Sequence, residues 1–114
     1  MKVPLAGDVV EMDVDGAVGH EQKGRRPALV VSVDAFQESG LAIVCPLTTH
    51  GGRAAKPRSE LEVAVPPGFL VAGVILPHQV KTIDWKERNA SVVDHLPRAT
   101  LLQVRARLKA FLGV

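Results

Sequence analysis

The sequence predicts a mainly β protein: a small, strongly bent antiparallel sheet or barrel with one helix at its C-terminal end. Three observations lead there. Short apolar, β-branched runs recur along most of the chain, separated by glycine- and proline-rich turns. Helical apolar spacing begins only after Pro97. At 114 residues the chain can bury one modest core, so residues 1–114 are expected to form a single domain.

Each element follows in order. Val9 to Val14, alternating around Asp8, Glu11, Asp13 and Asp15, reads as a half-exposed strand. Gly16 and Gly19 bracket a turn. Pro27 to Val33 is a β-branched run and the best-defined strand. Asp34 to Gly40, short, polar and closed by glycine, is a connector or a single helical turn. Leu41 to Leu47 is a buried strand, and 51–58 is a basic loop led by Gly51-Gly52. Glu60 to Val65 alternates as a strand before Pro66-Pro67-Gly68 forces a turn. Val71 to Leu76 is apolar, and Pro77 ends its hydrogen bonding or marks an edge or bulge. Gln79 to Asp84 alternates, and a short turn leads to Ala90–Val93. From Pro97 onward Leu101, Val104, Leu108 and Phe111 form one helical stripe, to be buried against the sheet or a second subunit. Asp94 lies close enough ahead to help start that helix.

Composition narrows the function classes. A 46% hydrophobic and 23% charged chain is an ordinary globular protein rather than a disordered one. The net charge is only +2, but its distribution is uneven. Asp8, Glu11, Asp13 and Asp15 make the first strand acidic, whereas Lys23, Arg25, Arg26, Arg53, Lys56 and Arg58 make two later loops basic. Basic loops suit a phosphate-bearing partner. One cysteine, Cys45, cannot form an internal disulfide and lies in an apolar run, which points to a reducing compartment and an inert, buried thiol. The N-terminus has no continuous apolar segment and no run reaches membrane-span length, so the expected location is cytoplasmic.

The chemistry-bearing residues lie in loops flanking strong strands. The four histidines, His20, His50, His78 and His95, are scattered, and no His or Cys pair has ligand spacing, so no metal or cofactor is expected. What remains is His20, Glu21, Gln22, Arg25 and Arg26, then Thr48, Thr49 and His50, then His78, Gln79 and Lys81. Plainer readings exist for several of them. His50 and His95 fit surface or turn positions, Glu21 can pair with Lys23 or Arg25, and Thr48-Thr49 can simply hydrogen-bond its own turn. Arg26 stands apart. A guanidinium at the start of a rigid, proline-led strand is pre-organised, as phosphate recognition requires.

Four blocks carry a resemblance. GDVVEMDVD, GHEQKGRRPALVVS, VCPLTTH and GVILPHQVKTIDW resemble, in order, those of the MazF/PemK (Kid-like) toxins of bacterial toxin–antitoxin systems, over roughly residues 6–112. The resemblance implies a PemK/CcdB-like, SH3-like β-barrel working as a homodimer. It also implies a metal-independent, sequence-specific endoribonuclease acting on single-stranded RNA. By motif position Arg26 matches the family's catalytic arginine, Thr48 the first threonine of its Pro-x-Thr-Ser/Thr block, and Glu21 an acidic residue linked to RNA contact or proton transfer. Gln79 and Lys81 match a late polar pair near the groove. Arg25 occupies a variable position and is expected to contact phosphate or antitoxin. With His20, Gln22, Thr49, Arg53 and Lys56 these complete the expected RNA-binding set, with Glu21 the candidate base and His20 the lesser one. The implied partner is an antitoxin whose acidic tail fills the basic groove.

Three departures stand out. The loop 51–58 lacks the aromatic that commonly precedes its proline, so contact there shifts from base stacking to phosphate. Pro77-His78 replaces a small residue and an acid, and Glu11 replaces a common tryptophan. Two rival readings share the fold. A CcdB-type gyrase poison depends on a C-terminal tryptophan, which the ending Phe111-Leu112-Gly113-Val114 lacks, the sole tryptophan being Trp85. A catalytically silent nucleic-acid or antitoxin binder is disfavoured by the intact Arg26 and Thr48 positions.

Overall fold

The computed structural model describes residues 2–13, 25–52 and 55–114. Among these residues seven strands and two α-helices follow one another: β1 (Asp8–Asp13), β2 (Arg25–Val30), α1 (Asp34–Gln37), β3 (Leu41–Thr48), β4 (Val63–Ala64), β5 (Val74–Ile75), β6 (Lys81–Asp84), β7 (Ser91–His95) and α2 (Arg98–Leu112). The strands form one antiparallel sheet in the order β4-β5-β3-β2-β1-β7, with β6 also on β3. Among the described residues the ends of that path, β4 and β7, do not pair with each other, so the sheet stays open, as a bent, barrel-like sheet rather than a closed barrel. This is the mainly β architecture with a C-terminal helix that the sequence predicts.

β3 is the hinge of the bend. Its first half pairs β6, Leu41 to Val44 against Asp84 to Lys81, and its last two residues pair β5. Pro46, which has no N–H to donate, lies where the partner changes, and its carbonyl accepts the Leu76 N–H at 2.8 Å.

Two apolar layers cover the sheet. Val9, Leu29, Cys45, Leu47 and Ile75 pack under α2 through Leu101 and Val104. Val10, Ala28, Val30, Val44, Ile83 and Trp85 form the layer on the other face. β1 is therefore buried on both faces over Asp8 to Val10, not half-exposed. Asp8 enters this interior because its carboxylate accepts the Leu5 N–H at 2.7 Å and meets His95 Nδ1 at 2.7 Å. His95 is thus a partner of β1 rather than an idle turn residue. Trp85, 1% exposed, donates its indole N–H to the Gln37 carbonyl at 2.9 Å. Gln37 in turn meets Ser32 in a buried pair of side chains, whose Ser32 Oγ accepts the Ile43 N–H.

Several boundaries differ from the sequence reading. The strand expected over Glu60–Val65 contracts to Val63–Ala64, because Ser59 takes the Leu61 and Glu62 N–H groups into a turn. Of Val71–Leu76 only Val74–Ile75 is strand. Pro77 opens a 3₁₀ turn over Pro77–Gln79, which takes Gln79 out of the strand that follows. Asp94 does not cap α2. The N-cap is Pro97, with no side-chain cap, and Asp94 Oδ2 instead accepts the N–H groups of Leu70 at 2.7 Å and Val71 at 3.0 Å. In α2, Leu101 and Val104 are buried against the sheet and Leu108 is half-buried, while Phe111 stays 43% exposed.

Candidate active-site groove

Strand register places the principal residues on one face. β2 and β3 pair Val30 with Val44, Leu29 with Cys45 and Ala28 with Pro46. Continued for two residues, that register brings Arg26 level with Thr48. Because side chains alternate along a strand, Arg26, Ala28 and Val30 share a face with Val44, Pro46 and Thr48. Lys81 lies opposite Val44 and Met12 opposite Arg26, so both join that face.

Three adjoining hollows run across it. Met12, Val44 and Pro46 floor a cavity of about 300 Å³ rimmed by Asp13, Arg26, Gln79, Lys81 and Arg88. Arg26 and Pro27 also wall a second hollow with Thr48 and Thr49. Thr49 then leads into a third, lined by His50, Gly51, Gly52, Lys56 and Arg58. Shared walls at Arg26-Pro27 and at Thr49 make these one groove, with Arg26 at the junction of its first two parts.

Adjacent arginines have different fates because strand residues alternate. Arg25 is tied down: Nη1 meets Asp13 Oδ1 at 2.9 Å, and Nη2 donates to the carbonyls of Glu11 at 2.6 Å and Asn89 at 2.7 Å and to Ser91 Oγ at 3.0 Å. It lines none of the three hollows. The structure thus places this expected phosphate or antitoxin contact in an internal clamp joining β1, β2 and the start of β7. Arg26 is exposed, and no described residue makes a hydrogen bond or ion pair to its guanidinium.

Thr48 is held from two sides. Its Oγ1 accepts the His50 N–H at 3.2 Å, which is the own-turn contact. A hydroxyl that accepts one bond still has its proton to donate. Behind it lies Gly73 at φ +105°, where a Cβ would sit 2.2 Å from the Thr48 carbonyl oxygen. His50 itself adopts φ +51° and its Nε2 meets Glu62 Oε1 at 3.0 Å. The Arg58 N–H and the His50 side chain hold the Glu62 carboxyl below its ordinary range.

The structure brings Arg26, Thr48, Thr49, Lys56, Gln79 and Lys81 to this groove. His20, Glu21, Gln22 and Arg53 lie outside the described residues. Sequence reasoning noted Asp13 and Arg58 only as members of an acidic strand and a basic loop, and missed Arg88 and the His50–Glu62 pair. Asp13 lay in the GDVVEMDVD block without an assigned role and Arg88 in no block, although the short turn with Lys86 and Arg88 is a basic feature of the sequence. It reaches the groove because the Asp13 N–H bonds the Arg88 carbonyl at 3.1 Å. Burial pushes the Cys45 thiol up to about 12, so it supplies no nucleophile near neutral pH. Chemically, the groove offers fixed cationic and hydroxyl hydrogen-bond donors along a line, a surface matched to a polyanion.

Comparison with known proteins bears on the family and the fold. The family model described as PemK-like, MazF-like toxin of type II toxin-antitoxin system matches residues 5–112. Endoribonuclease toxin ChpB of Escherichia coli (strain K12) is 37% identical over 105 residues, covering 88% of this chain and 90% of that protein. Endoribonuclease toxin MazF of the same organism is 31% identical over 112 residues, covering 97% and 96%. Among solved structures, a chain of MazE-MazF (Form-II) from Deinococcus radiodurans superposes with a TM-score of 0.87 at 35% identity, covering 100% of this chain and 99% of that one.

Proposed function

The chain belongs to the PemK-like, MazF-like toxins of type II toxin–antitoxin systems, and from that premise we propose that it is a metal-independent, sequence-specific endoribonuclease of single-stranded RNA. The observation that carries this reading is the position of Arg26, a guanidinium with no partner among the described residues, at the junction of two hollows and level with Thr48 when the β2–β3 register is continued.

The reaction follows from those groups. The ribose 2′-OH adjacent to the scissile phosphate attacks phosphorus in line as its proton passes to a base, for which Glu21 is the candidate and His20 the lesser one. The bond from phosphorus to the 5′-oxygen breaks, and that oxygen takes a proton. A 2′,3′-cyclic phosphate and a 5′-OH end remain. Negative charge builds on the non-bridging oxygens at the transition state. Arg26 stabilises it electrostatically, and the Thr48 hydroxyl donates a hydrogen bond to one of them.

Neighbouring phosphates and bases lie along Gln79 and Lys81 on one side and Thr49 and Lys56 on the other, with His20, Gln22 and Arg53 completing the contact set. The same basic line receives the acidic tail of a cognate antitoxin; a solved relative is the MazE-MazF pair. The working form is a homodimer in the cytoplasm, where its RNA substrate lies. No helix among the described residues is long and apolar enough to cross a membrane.

The test is cleavage of RNA by the purified protein in EDTA, with the new ends mapped by mass spectrometry. A 2′,3′-cyclic phosphate that disappears with Arg26→Ala supports the reading. No cleavage, together with trapped gyrase–DNA complexes, overturns it.

A further inference from the structure

We infer that Glu62 and His50 are positioning residues that form a latch between His50 and Arg58 and hold the Thr48 hydroxyl in its reactive orientation. The inference rests on the ribonuclease reading and adds two residues to it.

The latch begins with a nearly buried carboxylate, 9% exposed, next to β4. β4 pairs β5 through Ala64 and Val74, and Val74 also pairs Thr48, so Glu62, which immediately precedes β4, and Thr48 flank the same small piece of sheet. From that base Glu62 Oε1 reaches both ends of the intervening loop. It meets His50 Nε2 at 3.0 Å and accepts the Arg58 N–H at 2.9 Å. Those contacts depress the carboxyl's proton affinity, so it is charged at neutral pH.

His50 gives the latch its link to Thr48. A non-glycine residue at φ +51° persists only where its surroundings hold it. Here the imidazole is held by Glu62, and the left-handed backbone turns the His50 N–H onto Thr48 Oγ1 at 3.2 Å. Occupying that lone pair limits the rotation of the hydroxyl and directs its proton elsewhere. Loss of the Glu62 carboxylate releases both loop ends, and Thr48 loses its fixed direction.

The experiment is a double-mutant cycle between Glu62→Ala and Thr48→Val, read as kcat and KM on a short RNA, with thermal melts to confirm folding. Glu62→Ala should lower kcat on the order of tenfold, less than the ~100-fold of a full ångström of misplacement. In the Thr48→Val background the same change should add nothing, because the two residues act in series. Glu62→Gln keeps the acceptor oxygen and should recover most of the kcat. Multiplying effects in the double variant, or a folded Glu62→Ala with wild-type kcat, overturns the inference. Amide hydrogen exchange at His50 and Arg58 without RNA decides the latch separately from activity. Protection lost in Glu62→Ala supports it, and unprotected wild-type amides overturn it even if the protein cleaves RNA. A wild type that cleaves no RNA overturns the ribonuclease reading while those amides still judge the latch.

Discussion

Gly73→Ala tests how closely Thr48 is set. The added Cβ would lie 2.2 Å from the Thr48 carbonyl oxygen, 3.0 Å from its carbonyl carbon and 3.1 Å from Thr49 Cα. All three are backbone atoms, so no side chain can swing aside. Bringing the first contact from 2.2 to 3.0 Å, a separation real Cβ atoms still essentially never go below, requires the Gly73 backbone and the Thr48 strand end to move apart by at least 0.8 Å. A shift near one ångström at a catalytic group costs about 100-fold in rate. Overpacking with a strained backbone also costs about 1–3 kcal/mol of stability. Gly68→Ala is the control, because Gly68 has a similar φ of +95° but nothing within 4 Å of the added carbon. It carries the backbone strain without the collision. The assay is kcat on a short RNA beside a thermal melt of each variant. The expected result is a folded Gly73→Ala protein with kcat down by about two orders of magnitude and KM little changed, against near-normal kcat in Gly68→Ala. A folded Gly73→Ala with wild-type kcat, or equal losses in both variants, refutes the idea that the position of Thr48 limits the reaction.

Arg25→Ala should lower stability by about 1–3 kcal/mol, since one guanidinium joins Asp13, Glu11, Asn89 and Ser91, and denaturant titration reads that loss. Arg26→Ala should leave the melt unchanged while removing cleavage, so the two neighbours separate in a paired stability and activity measurement. Glu62 has its folded-state proton affinity lowered from an ordinary value of 4.5, so it stabilises the fold above that pH and loses the contribution as pH falls through its folded value. The melting difference between wild type and Glu62→Gln should therefore be constant near neutrality and close on acidification below about 4.5. Cys45, with its thiol raised to about 12, should resist iodoacetamide at pH 8 in the folded protein and react once denatured, as mass spectrometry would show.

What was legible in the sequence was what short-range pattern encodes. β-branched runs marked β2 and β3, and helical spacing marked α2, because propensity and amphipathic period act within a few residues. Partner choice does not. Val71–Leu76 is apolar throughout, yet only Val74 and Ile75 form a strand ladder, since β3 meets β5 at Leu47 and Thr48 alone. Asp94 reads as a helix starter but is taken by Leu70 and Val71, more than twenty residues away in sequence. Asp8 reads as a surface acid, and only the return of β7 with His95 makes it an interior one. The candidate site divides the same way. Arg26 and Thr48 stood out through their motifs, whereas Glu62 lay in a segment read as an ordinary alternating strand.

The paired arginines show why alternation matters more here than charge. A two-residue basic step at the mouth of a strand must send one side chain to each face. The side of Glu11 and Asp13 offers one carbonyl and one carboxylate from β1, which with the Asn89 carbonyl capture Arg25 and leave it no freedom for a ligand. The opposite face is floored by the apolar Met12, Val44 and Pro46, and no described residue hydrogen-bonds the Arg26 guanidinium there. The guanidinium left unsatisfied is the one aimed at the groove, and the clamp formed by its neighbour holds the strand on which it is mounted. A one-residue slip of β2 would exchange the two, placing Arg25 over the apolar floor and Arg26 among the acids. The clamp at Arg25 opposes that slip, because only the observed register satisfies its four contacts at once. Arg25 therefore serves the proposed reaction without touching RNA, by fixing which of two adjacent cations faces the substrate.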